Sequence, residues 1–405
     1  MMVYVKVLKS EKWMGILTSP ATNLISIYEV DVASCKSSKD FLKQRFTDIL
    51  NANPWLCSRL VKCKVEGVKD VYLSFPEKVS DPHEYVLFQV NDVVFQLKTI
   101  SEAWNILDGG VKTGDKCINK DERLCYLQVM ENSAQTKLAV LFSLSHNLGD
   151  GHTCYNIWKM LDMNENVRKL EVERILNYED RVKSETSITP LMDMPFWGKM
   201  WGFFKRGAWR RFEGKTSPVT YAYKLNDEAI AARKALYNTG SSFVSTHDII
   251  CTEFFPLCEG GMIFAMNLRG RMSDVTSDRA GNYEVMCPMN ISKGENPSDF
   301  RAKWNKVLKK EVVAEEVSNV SMSISWTTFY HQVELPGAKH RLHLPIYHEK
   351  DVIFRVLSVP LTSELTSIIF KMNNKDTGIV FFAYSDVFNE EFLDNSELFE
   401  KKIVL

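Results

Sequence analysis

The sequence predicts a mixed α/β fold in two halves of similar size, on three observations. At 405 residues the chain is longer than one hydrophobic core usually serves, so two domains are the first expectation. Strand-like and helix-like segments alternate irregularly, without repeats or low-complexity tracts. Between about 184 and 218 the composition changes to Ser, Thr, Pro and Gly at the ends and to Trp, Phe, Arg and Lys in the middle. That stretch reads as a crossover linker, leaving 1–183 and 219–405 as the halves.

Met1 to Val7 is strand-like and runs into Lys9, Glu11 and Lys12, without the apolar run and cleavage site of a signal peptide. Lys39 to Leu50 reads as a helix whose apolar stripe is Phe41, Leu42, Phe46, Ile49 and Leu50. Val86–Val90, Val93–Leu97 and Leu124–Met130 read as strands. Leu138 to Ser145 is the clearest strand: Leu138, Val140, Phe142 and Leu144 share a face, and the two-residue period puts His146 on it. Helical spacing follows through Tyr155, Trp158 and Leu161. In the second half Ser245-Thr246-His247-Asp248 reads as a helix start. Ile263–Leu268 and Val320–Phe329 read as strands, and Ser298–Val313 as a helix. Val352–Pro360, Leu361–Asn373 and Thr377–Tyr384 read as strand, helix and strand.

Hydrophobic residues are 45% and charged residues 25%, the balance of a folded globular protein. A net charge of −1 gives no reason to expect nucleic acid as a partner. The nine cysteines are odd in number and form no Cys-x-x-Cys pair, so reduced thiols in a cytoplasmic monomer are expected. No stretch is long and apolar enough to span a bilayer.

The chemistry concentrates in His146-Asn147-Leu148-Gly149-Asp150-Gly151. A neutral imidazole on a rigid strand end can take the proton of a hydroxyl or amine as that group attacks a carbonyl. Gly149 and Gly151 let the backbone fold closely around Asp150. The plainer alternative is a loop histidine beside a helix-capping aspartate.

An apolar strand entering His-x-x-x-Asp-Gly and then a helix resembles the CoA-dependent acyltransferase superfamily. Its members include chloramphenicol acetyltransferases, plant BAHD and fungal alcohol acyltransferases, and peptide-synthetase condensation domains. Three further segments fall in the family's order. Ile49 to Leu56 resembles its helix followed by Asn-Pro-x-Leu. Asn267-Leu268-Arg269-Gly270-Arg271 with Gly281-Asn282 resembles its Arg-x-Arg … Gly-Asn segment. Ser323 to Phe329 is similar to its Ser-x-x-Trp-x-x-Phe strand.

The resemblance implies two similar chloramphenicol acetyltransferase-like mixed-sheet domains with a tunnel between them. It also implies acyl-CoA as co-substrate, no bound cofactor or metal, and a small or lipophilic alcohol, or an amine, as acceptor. His146 becomes the general base. Asp150 turns away from it to pair bidentately with Arg269, and with Gly151 supports the site. Thr328, or else Ser325, becomes the oxyanion donor. Strand alternation puts these two on opposite faces, so only one is expected to face the tunnel.

Ser145 stands where condensation domains usually carry another His, and the BAHD Asp-Phe-Gly-Trp-Gly motif is absent after Trp326. A carrier-protein-dependent condensation enzyme and a non-catalytic binding protein of the same fold are the alternatives. His340, His343 and His348 match no metal-ligand spacing. The aromatic and basic run 195–212 suits either a packed crossover or peripheral contact with a membrane surface.

Overall fold

The computed structural model describes residues 1–12, 21–97, 102, 110–186, 188, 218–238, 243–257, 261–309, 311, 320–347, 354–356, 359–361, 365–384 and 390–403. Most of the crossover, all of 195–212, and His348 lie outside these. Among the described residues no helix is long and apolar enough to cross a membrane.

Strands β1 (Met2–Lys6), β2 (Thr22–Glu29), β3 (Arg59–Val65), β4 (Val68–Pro76), β5 (Val86–Val90), β6 (Cys125–Glu131) and β7 (Lys137–Leu144) belong to the first half. The second contributes β8 (Pro218–Leu225), β9 (Gly261–Asn267), β10 (Glu284–Asn290), β11 (Val320–Ser325) and β12 (Lys339–Pro345). It continues with β13 (Phe354–Val356), β14 (Val359–Leu361), β15 (Leu365–Lys371), β16 (Thr377–Tyr384) and β17 (Phe399–Lys402). The longer helices are α1 (Val32–Ala52), α2 (Gly151–Lys159), α3 (Tyr178–Thr186), α4 (Asp227–Tyr237), α5 (Thr246–Phe254) and α6 (Pro297–Leu308).

Two mixed sheets carry the molecule. One runs β12-β2-β7-β6-β5 and the other β10-β9-β11-β15-β16-β8-β17. In the first, β12 reaches over from the second half to pair antiparallel with β2. A core of Phe46, Ile49, Leu50, Leu141, Phe142 and Trp158 packs α1 and α2 on that sheet. A second core around Phe254, Phe264, Phe300 and Phe381 does the same for α5 and α6. The fold is the two-domain mixed α/β arrangement expected.

Four element readings need correction: over Val352–Pro360 the single strand expected is instead two short strands, β13 and β14, paired antiparallel. Val93–Phe95 is a short 3-10 turn, not a strand. Leu361–Asn373 is not a helix: β15 lies between β11 and β16, buried along Leu365–Phe370. A run buried on both faces has no amphipathic period to separate strand from helix. Val320–Phe329 is a strand only to Ser325, after which a turn closes from the Phe329 N–H to the Trp326 carbonyl.

Candidate active site

Strand β7 pairs with β2 and β6, so its last residues are fixed from both sides. His146 follows one residue beyond Ser145, in a turn where the Leu148 and Gly149 amides donate to the Ser145 carbonyl at 2.9 and 3.3 Å. The ring is half-buried. Asn282 Nδ2 donates to the His146 carbonyl at 2.7 Å, which turns the Asn282 Oδ1 toward the ring, 3.4 Å from Nδ1. Nδ1 therefore carries the proton and Nε2 keeps the lone pair. The Thr22 hydroxyl lies 3.3 Å from that nitrogen. Burial lowers the His146 pKa below 6.5, against the Asn282 hydrogen bond and the Asp150 charge. The imidazole is thus neutral at pH 7.

Asp150 is the N-cap of α2: its Oδ1 accepts from the Thr153 amide at 2.9 Å. Its Oδ2 accepts from Arg269 Nη1 at 2.7 Å and from the Tyr283 amide at 3.0 Å. The capping and ion-pair readings are therefore both met by one carboxylate. The pair is not the bidentate fork expected, because the second guanidinium nitrogen is spent elsewhere. Arg269 Nη2 donates to the Gly281 carbonyl at 2.8 Å, the Arg279 carbonyl at 3.0 Å and Thr153 Oγ1 at 3.1 Å. The two glycines are required by close approach. A Cβ at 149 would stand 2.5 Å from the Thr153 side chain, and one at 151 would stand 2.9 Å from the Trp326 indole nitrogen.

A second buried ion pair packs against Gly281-Asn282, and no local motif points to it. Arg174 Nε meets Glu11 Oε1 at 2.9 Å, with both side chains 0% exposed. Glu11 also accepts from the Asn282 amide at 3.1 Å and the Leu8 amide at 2.9 Å. Arg174 Nη2 donates to the Leu148 carbonyl at 3.0 Å. This pair holds both the turn after His146 and the backbone of the asparagine that faces its ring.

A cavity of about 550 Å³ opens between the halves, walled by Asp150, Gly151 and His152 on one side and by β9, β11 and α5 residues on the other. His146 is not among its lining residues. Because β11 ends at Ser325, the alternation argument fails. Ser325 and Thr328 both line the cavity, as do Trp326 and Thr327. Ser325 Oγ is 3.1 Å from Thr327 Oγ1. His152 also faces the cavity, but Nε2 donates to the Ser277 carbonyl at 3.0 Å and Asn267 Nδ2 lies 3.4 Å from Nδ1.

Two further histidines, His343 and His247, do other work. His343 is buried between Ser26 Oγ, 2.9 Å from Nδ1, and the Tyr155 hydroxyl, 3.0 Å from Nε2. His247 follows the Ser245 cap of α5, and the capping box with Asp248 is present. Among the described residues no group of three or more His, Cys, Asp or Glu is placed to hold a metal ion.

No family model and no curated protein matches the sequence. Solved structures match its fold over nearly the whole chain. F. sporotrichioides TRI101, complexed with coenzyme A and T-2, is 13% identical over 99% of each chain, with a TM-score of 0.64. The first condensation domain of the calcium-dependent antibiotic synthetase is 10% identical over 97% of this chain and 93% of that one, at 0.61. Vinorine synthase is 12% identical over 98% and 99%, at 0.59. Identities this low carry the architecture and nothing finer: the chain has the two-domain, chloramphenicol acetyltransferase-like fold shared by CoA-dependent acyltransferases and condensation domains.

Proposed function

We propose that this chain is an acyl-CoA-dependent acyltransferase that moves an acyl group to a hydroxyl, with His146 as general base. The observation that carries the reading is the fixed tautomer at His146: Asn282 takes up Nδ1–H and leaves Nε2 free to accept a proton. In the step, the acceptor O–H gives its proton to Nε2 while its oxygen bonds to the thioester carbonyl carbon. The tetrahedral intermediate then expels CoA thiolate as the C–S bond breaks, and His146 returns the proton to sulfur. Thr328 or Ser325 stabilises the oxyanion. The Thr22 hydroxyl, now beside Nε2, yields that place to the acceptor. Asp150, Gly151 and Arg269 act by holding the turn.

The acyl-CoA enters by the cavity between the halves and its thioester extends past Asp150 and Gly151 to Nε2, since His146 itself does not line that cavity; 1–183 and 219–405 are the two halves joined by 184–218. An amine acceptor is the second choice. A thiol-release assay with a series of acyl-CoAs against pooled alcohols and amines tests the reading. Turnover with alcohols supports it; tight CoA binding without turnover across the panel favours a binding protein instead.

A further inference from the structure

A second cavity, of about 570 Å³, lies away from His146. On the paired strands β2 and β7, Thr22↔Leu144 marks the His146 end and Glu29↔Lys137 the other. Seven residue steps separate them, roughly 23 Å at the rise of an extended strand. Glu29 and Lys137 line the second cavity, as do residues of β8, β12 and β17. It is therefore walled by both sheets, far from the proposed chemistry.

Its floor is apolar: Ile27, Phe95, Leu342 and Ile403 line it and each is 6–9% exposed. Its rim is cationic. Lys137, Lys224, Arg341, Lys401 and Lys402 line it, against Glu29 as the one acidic lining residue among those described. A chain with a net charge of −1 has no general excess that would place five cations here by default. Three of them have carboxylate partners: Lys224 meets Asp376 and Glu400, Arg341 meets Glu29, and Lys402 meets Glu390. Lys137 and Lys401 have no carboxylate at ion-pair distance among the described residues, although Lys137 stands across the strand pair from Glu29 and, after the Arg341 hydrogen bond, its charge helps hold that carboxyl down. The Lys137 ammonium is 6.0 Å from the Phe95 ring centroid. Greasy floor and unpaired ammonium groups on one cleft are complementary to a single kind of molecule, one with an aliphatic body and an anionic end. The volume falls within the range of small-molecule sites.

We propose that this cleft binds an amphipathic anion, an alkyl chain ending in a carboxylate or phosphate, with its head between Lys137 and Lys401 and its chain on the Ile27–Leu342–Ile403 floor. The site is separate from the transfer reaction and does not rest on the role given to His146.

Isothermal titration of the full chain with decanoate, decyl phosphate and decanol, with and without saturating CoA, tests it. The expected result is one-to-one binding of at least one anion, weaker binding of decanol, and no displacement by CoA. Comparing the two anions identifies the preferred head group. A Lys137→Ser/Lys401→Ser double variant, with both positions exposed, should keep the native melting temperature and weaken anion binding about tenfold. No saturable binding of either anion overturns the proposal. So does displacement by CoA, or an affinity unchanged in the double variant.

Discussion

The Asp150–Arg269 and Glu11–Arg174 pairs flank the same two residues, Gly281 and Asn282, and both are out of solvent. They differ in how fully the carboxylate is repaid for losing water. Burial pushes both acids up. At Asp150 the charge of Arg269, its hydrogen bond and the Thr153 amide outweigh burial and hold the group below its ordinary 3.8. At Glu11 burial outweighs Arg174 and the Leu8 and Asn282 amides, and the group sits above 4.5. Two carboxylate–arginine pairs are thus unequal, because solvation by the protein depends on how many donors converge and not on the partner alone.

Truncating an arginine separates them most sharply. Arg269→Ala leaves a firmly ionised carboxylate without its partner and should cost about 4 kcal/mol in urea unfolding. Arg174→Ala should cost less, about 2–3 kcal/mol, because Glu11 sheds its charge more readily by taking up a proton. Equal losses would remove the distinction. Gly151→Ala keeps both pairs but drives a Cβ into the Trp326 indole, for an expected loss of about 1–3 kcal/mol. A melting temperature unchanged from the native one would show that the indole has room to move.

Acidification gives the pairs opposite signs. Asp150, with its folded pKa depressed, contributes stability that is present above the unfolded value of 3.8 and lost as pH falls through the lower folded value. Glu11, with its folded pKa raised, binds more protons folded than unfolded above 4.5. Its contribution therefore declines as pH rises from 4.5 through the folded value. Asp150→Asn should flatten the acid side of a stability-versus-pH curve and Glu11→Gln the side above pH 4.5. A Glu11→Gln curve that steepens there contradicts the assignment.

The smallest effect concerns the proposed base. The acid limb of kcat/KM should lie below pH 6.5, and Asn282→Leu, which removes a group that raises the His146 pKa, should move it lower still. A limb shifted upward would mean that Asn282 does not hold Nδ1–H.

The contrast also shows what the sequence could reveal. Asp150 was legible because its cap, its glycines and its histidine lie within six residues of one another, and Arg269 came with a motif. Glu11 lies among Lys9 and Lys12 and reads as part of a solvated charge run. Its partner is 163 residues away, and no local pattern links them. Asn282 lies inside the Arg-x-Arg … Gly-Asn segment, yet its role depends on where β10 begins beside the His146 turn. Strands such as β7 were readable as short apolar runs bounded by turn residues, although they are buried on both faces. β15 was misread because it is buried on both faces and has no amphipathic period, and no turn signal separates it from Leu361. The oxyanion candidates were assigned to opposite faces because nothing in Ser323–Phe329 announces that the strand stops at Ser325.

The most direct measurement is single-turnover acyl transfer by the native chain and by His146→Ala, each checked for the same melting temperature, with the best acyl-CoA and alcohol pair. The account predicts a rate at least about a hundredfold lower in the variant, the usual scale for loss of a general base. Equal rates from two equally folded proteins would contradict it.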